Sequence, residues 1–393
     1  MNPLSLFEST NELVCISGAK GGVRPVVDRY FAFGALSSMV GSIYLGFYLW
    51  LIRSGVIGVA PNYPALSQSH FNIQLFLFFG FFILGFVLQA VPKMLGVGYQ
   101  PASFALLSIP LALLGIGSEI AGLGDYFFKV CLFLAYGLPC QALLRLIAKS
   151  SPERRQMLGP WIAISLLSFS IAPLFNPTSP AGHVLTILGA VCSLTLAAGR
   201  QFIAGFLGGA KVSLKANYLQ LVFYLLTLIT ATLATVLEIE LWSYTGLSLL
   251  ATILVYINST KLLQIQREML LNNPLAVAFS AGVFWAVLAS LNLIIYGAAA
   301  LDVTTHMIAL GWVVPLILAI SAQMLRAITG QFILSASAMR NILFFWQAVP
   351  ICRTLFFYQL SSGMVMLTGL VASAVIGAWS VAVINSTIRY RPV

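Results

Sequence analysis

Polar positions are too sparse along most of this chain to draw an amphipathic stripe. The stretch "SHFNIQLFLFFGFFILGFVLQAVPKMLG" is apolar on every side of a helix from Leu75 to Leu88, the pattern of a helix with apolar surroundings all round. Runs of near-membrane length recur and predict helices over 29–52, 69–92, 102–122, 126–148, 158–175, 182–206, 217–239, 243–264, 275–298, 304–327, 341–359 and 361–388. The linkers are short and carry turn residues, as in "GVGYQP" after the second helix and "NPTSPAG" before the sixth. Pro350 and Arg353 interrupt the eleventh. No long polar insert breaks the series. The expected fold is therefore all-α: a transmembrane domain of about twelve helices over 29–388, between tails at 1–28 and 389–393.

Composition sharpens this. The 393 residues are 60% hydrophobic and 8% charged, against roughly 25% charged in soluble domains. A soluble core could not hide so much apolar surface, so the lipid bilayer is the expected solvent and first partner. The net charge of +10 does not call for nucleic acid, because Lys and Arg collect in cytoplasmic loops of membrane proteins. Of the twenty basic residues, only Arg53, Lys129 and Arg353 fall on the side opposite the N-terminus. That asymmetry predicts cytoplasmic termini and an even number of crossings. Glu119, Asp125, Glu238, Glu240 and Asp302 fall on the outer side. The first 28 residues lack the basic-then-apolar order of a cleavable signal and read as a cytoplasmic tail. "GAKGG" within them lacks the ending of a phosphate loop. Cys131, Cys140, Cys192 and Cys352 lie in apolar runs without a CxxC spacing, against a disulfide or zinc site.

The chain has three histidines. His70, His183 and His306 open the second, sixth and tenth helices, which run in the same direction, so all three are expected at one depth beneath the outer surface. They recur every fourth helix, as equivalent positions would if the helices formed three arcs of four. Neutral imidazoles on two helices at one depth can ligate a haem from both faces or hold copper. A histidine at a helix end can also simply hydrogen-bond at headgroup level. Ser67, Ser69, Thr304 and Thr305 stand close enough in sequence to orient the rings. Arg353 is an ionisable group inside a predicted span, a functional candidate by position, and its guanidinium suits a haem propionate. Arg200 and Arg326 sit at the inner edge, where snorkelling is the usual reading. No GxSxG elbow or base-activated nucleophile stands out.

The same segments resemble those of the NnrS family, twelve-span bacterial membrane proteins that contain haem and copper and are associated with nitric oxide metabolism. "SH" with "GFVLQAVPKMLG" is similar to the family's His-rich second helix. "HMIALG" through "RAITGQ" is similar to its His-x4-Gly helix. "LAAGRQF" resembles its Gly-Arg motif and places Arg200 there. "NNPLAVAFSAGVFWAV" matches at Pro274, Gly282 and Trp285, and "RYRPV" resembles the family ending. The resemblance covers most of the chain. It implies a bacterial inner-membrane protein with haem b held by His70 and His306, His183 as a further metal ligand, and Arg353 and Arg200 as cofactor-binding residues. Copper, nitric oxide as a ligand, and a redox or membrane-protein partner follow from it too. The chain also departs from the pattern. Asn72 and Ile73 replace a second His and a Glu, Ser280 replaces a His in the ninth helix, Gln323 replaces an Arg, and Ala327-Ile328-Thr329-Gly330 replaces Gly-His-Thr-Gly. Those changes remove candidate ligands, copper's above all, and leave the outer trio. Haem–copper oxidases offer a looser analogy of twelve helices in three arcs, yet the seventh span here has no His. Two other readings stay open: a membrane transporter, and a metal-free assembly subunit that has lost the family's ligands.

Overall fold

The structure, a computed structural model, describes residues 24–59, 61–97, 107–175, 179–265, 269, 272–329, 333–357 and 362–389. Of the expected tails at 1–28 and 389–393, residues 1–23 and 390–393 lie outside the described residues, as do most of the "GVGYQP" linker and Gly330, while 24–28 and 389 are helical. No strand occurs among those described. The helices in chain order are α1 (Arg24–Ser38, then Met39–Gly46 and Phe47–Arg53), α2 (Tyr63–Asn72, Ile73–Phe79, Gly80–Leu95), α3 (Ser108–Ile120), α4 (Asp125–Lys149), α5 (Pro152–Ile171), α6 (Pro180–His183, Val184–Cys192, Ser193–Phe206), α7 (Leu214–Val236), α8 (Trp242–Thr260), α9 (Pro274–Tyr296), α10 (Leu301–His306, Met307–Val313, Val314–Thr329), α11 (Ala336–Trp346, Ala348–Phe357) and α12 (Ser362–Arg389). Among the described residues eight stretches are long and apolar enough to cross a bilayer, the α9–α10 pair forming one of them. Twelve crossings further require α9 and α10 to count separately, broken at Gly297 with its positive φ of 57°, and α3, α8 and α11 to cross as well.

Turn chemistry sets the ends. Gly96 closes α2 in the left-handed region (φ 66°), a conformation that carries no Cβ penalty for glycine. Proline stands in the first turn of α5 and α6, and the Ser179 side chain caps α6. Helix α2 is central: 89% of its most apolar window is buried, against 28% for α7 at the periphery. Its Phe76, Phe78, Phe79, Phe81, Phe82 and Phe86 are all buried in the bundle, not spread over a lipid face. Small residues let helices approach. The space a Cβ would need at Gly282 is filled by Trp312, and that at Gly311 by Trp285, so α9 and α10 interlock reciprocally. Helix α12 packs along α1, joined by Ser38 and Ser380 at 2.8 Å.

Four segments among the described residues are π-helical: Met39–Gly46, Ile73–Phe79, Val184–Cys192 and Met307–Val313. Such turns are rare and concentrate at functional sites. Their altered bonding leaves carbonyls that lipid cannot satisfy. Each segment receives a side-chain donor from a neighbouring helix. His70 donates to Gly41 O at 2.9 Å, Tyr136 to Phe76 O, and Trp346 to Leu310 O at 2.6 Å. In α6, Tyr224 donates to Leu188 O and Ser165 to Ala190 O at 2.7 Å.

Candidate functional site

The three histidines meet at one end of the bundle, each just ahead of a π segment. His183 and His306 immediately precede theirs, and His70 stands three residues before its own. His70 does not open α2, because the helix begins seven residues, about two turns, earlier at Tyr63 with proline in its first turn. His183 lies in the first turn of α6. It wedges between the other two helices: its ring meets Phe71 edge-on at 5.1 Å, and its Nδ1 shares a hydrogen bond with Thr305 Oγ1 at 3.2 Å. Phe71 and Thr305 are the chain neighbours of His70 and His306.

Hydrogen bonding separates the rings. Nδ1 of His70 faces the Gly41 carbonyl at 2.9 Å. Nδ1 of His306 faces the Asp302 carbonyl at 2.8 Å and that residue's Oδ1 at 3.3 Å. These oxygens only accept, so both Nδ1 atoms carry a proton, and the neutral form of either ring has its lone pair on Nε2. The partner of His183 is a hydroxyl, which either donates or accepts, so its tautomer is not fixed in this way. The nearby Ser and Thr residues are thus not what orients His70 and His306. Thr305 serves His183, and Thr304 accepts from Asn292 Nδ2 at 3.0 Å.

Arg353 is buried and donates to Asp302 Oδ2 at 2.6 Å, with its side chain 5% exposed against 53% for Asp302. It joins the histidine end through Asp302. Arg53 also acts electrostatically on Asp302 and on His70, while its Nε donates to Tyr63 Oη at 2.7 Å. Two of the three basic residues expected on the outer side therefore stand at this end of the bundle, Arg353 bonded to Asp302 and Arg53 bonded to Tyr63. Asp302 and Arg53 are absent from the sequence-derived site. The i,i+4 spacing of Asp302 and His306 is a signal that could have found the first.

Arg200 lies seventeen residues beyond His183 on α6, about 25 Å at 1.5 Å per residue. It does not snorkel. Its side chain is buried, donates to Asn217 Oδ1 and, at 2.6 Å, to Gln220 Oε1, and stands 4.4 Å over the Trp161 ring. It ties α5, α6 and α7 together away from the histidines. A half-open cavity of about 70 Å³ lies where the π segments of α6 and α10 end, walled by Phe82, Phe86, Phe279, Ile317 and their neighbours. Its lining residues Phe279 and Met324 directly adjoin Ser280 and Gln323, where the family pattern has His and Arg.

Among the described residues no three His, Cys, Asp or Glu side chains form a group able to hold a metal ion. Copper therefore finds no three-ligand site among them. A haem would ask for less, and His70 and His306, each with Nδ1 held by an acceptor, are residues that could hold its iron through Nε2.

An all-α polytopic membrane protein with a histidine cluster held at one end of the bundle is the class that fold and site define. The family model described as "NnrS protein" matches residues 29–393, nearly the whole chain, and the chain belongs to the NnrS family. No curated protein matches it.

Proposed function

We propose that this chain is a haem-binding membrane protein of nitric oxide metabolism or nitrosative-stress protection, with haem b held on the outer side of the bacterial inner membrane by His70 and His306. The observation that carries this reading is the pair of Nδ1–H bonds to obligate acceptors. They direct the lone pair of each ring, when neutral, to Nε2 at one end of the bundle, and a backbone or carboxylate partner behind a ligating histidine is the usual arrangement. His183 braces the two helices. Arg353 and Arg53 offer the positive charge that carboxylate substituents would need.

The bound group would supply one-electron chemistry or, at a face without imidazole, a place for nitric oxide. The chain fixes the rings, excludes lipid and neutralises charge. If both histidines ligate, no face stays open, and electron transfer to a redox partner is favoured over gas binding. The test is the absorption spectrum of protein purified from cells supplied with haem. A Soret band that responds to nitric oxide supports an open face, and one indifferent to it supports two ligands. A protein without the band removes the proposal.

A further inference from the structure

The polar cluster where α2 meets α3 does not depend on any cofactor. Glu119 Oε1 accepts from Asn72 Nδ2 at 2.6 Å and from Gln68 Nε2 at 2.9 Å. The other carboxyl oxygen, Oε2, is buried and has no partner, and the same is true of Asn72 Oδ1. Asn72 is wholly buried. Two buried acceptors in one hydrogen-bonded cluster thus lack a donor, and a buried acceptor left bare is destabilising. Among the described residues no cation pairs with Glu119.

An amide presents N–H and C=O side by side, and an un-ionised carboxyl presents C=O and O–H in the same way. The Nδ2–H bond to Oε1 is half of the ring the two groups form together. One proton on Oε2, donated to Asn72 Oδ1, completes it and satisfies both orphans. Turning the amide over does not avoid this. The 2.6 Å contact would then join two oxygens, a length normal for O–H···O and repulsive without a hydrogen.

We propose that Glu119 is a proton-holding site, un-ionised at neutral pH and donating its carboxyl hydrogen to Asn72. A carboxylic acid kept neutral so that it can donate is established chemistry in apolar sites. The charged and titratable groups on the packed elements are few. On α4, Asp125 and Lys129 pair with each other at 2.6 Å, and Tyr126 is exposed. On α2 stand His70, bonded to Gly41, and Tyr63, bonded to Arg53. Gln68 and Asn72 flank His70 in sequence, so the proton is stored next to the helix that carries that ring. Glu119 itself is only partly buried, which leaves a route for exchange with solution: the acid releases H⁺ and the carboxylate recovers it.

Infrared spectroscopy of the purified full chain reads this directly, because it has only ten Asp and Glu residues. At pH 7 the wild type should show the carbonyl stretch of an un-ionised carboxyl, shifted in D2O and lost in Glu119→Gln. Glu119→Gln should keep the wild-type melting temperature, since its own amide can donate to Asn72. Asn72→Leu, which keeps the acid but removes its acceptor, should move the band to higher frequency. Absence of the band at pH 7, its survival in Glu119→Gln, or an unmoved band in Asn72→Leu would each overturn the proposal. So would a melting temperature that rises with sodium, potassium or calcium in wild type and not in Glu119→Gln, which marks a cation site.

Discussion

Replacing Asp302 by Asn strands a buried guanidinium. The pair stands at 2.6 Å, with Arg353 5% and Asp302 53% exposed. Two unit charges about 4 Å apart interact by ~4 kcal/mol at an effective dielectric of 20 and ~1 kcal/mol in water. Asp302 is half in solvent, so the value falls between these, about 2 kcal/mol. Breaking a fully buried pair costs about 3–5 kcal/mol, and the exposure of Asp302 discounts that figure. Asp302→Asn should therefore cost about 2 kcal/mol. Arg353→Met should cost less, about 1 kcal/mol, because it removes the group that suffers from burial and leaves a carboxylate that water can reach. In the double variant the two losses should not add, leaving a coupling of about 1–2 kcal/mol. Reversible unfolding in mixed micelles, followed by fluorescence of the seven tryptophans, measures the cycle. The bond from His306 to the Asp302 backbone survives either change, so the imidazole stays oriented. A coupling below about 0.5 kcal/mol, or Arg353→Met costing more than Asp302→Asn, would refute this reasoning.

The hydroxyls that serve the π segments should matter more than others. Tyr136→Phe and Tyr224→Phe each bare a buried carbonyl and should cost about 1–3 kcal/mol in the same unfolding assay, whereas exposed Tyr244→Phe should be silent. Gly311→Ala drives a methyl into Trp285, so thermal unfolding should show about 1–3 kcal/mol of overpacking cost. Gly46→Ala places its Cβ 3.2 Å from His70 Cε1. The ring must shift by a few tenths of an ångström, which should perturb the haem absorption spectrum with little loss of stability.

Much of this fold is legible in the sequence, because the bilayer demands long apolar helices and because glycine and proline mark their ends. Every predicted span overlaps a helix, and Pro350 with Arg353 correctly marked α11 as irregular. It breaks at Gln347 between Ala336–Trp346 and Ala348–Phe357. The π segments left no such trace. "MIALGWV" has nothing that distinguishes it from an α-helical run, and what sustains it is a Trp346 donor thirty-six residues from Leu310. The Trp–Gly interlock is similarly invisible, since it needs the register of α9 against α10. At the site, the shared end of the three histidines was readable from helix direction alone. Their ring partners were not: Gly41 is twenty-nine residues from His70. Arg200 was misread as a snorkelling residue because Asn217 and Gln220, its buried acceptors, lie on a different helix.

Haem content measured across single histidine variants tests the proposed function most directly. Wild-type protein, purified after expression with added haem, should carry one haem per chain by pyridine haemochrome. His70→Ala and His306→Ala should each lose it or show a changed axial-ligand spectrum. His183→Ala should retain the haem, with a lower melting temperature from the lost brace between α2 and α10. Wild-type protein free of haem under those conditions, or an unchanged spectrum in both His70→Ala and His306→Ala, would contradict the assignment of these two rings as ligands.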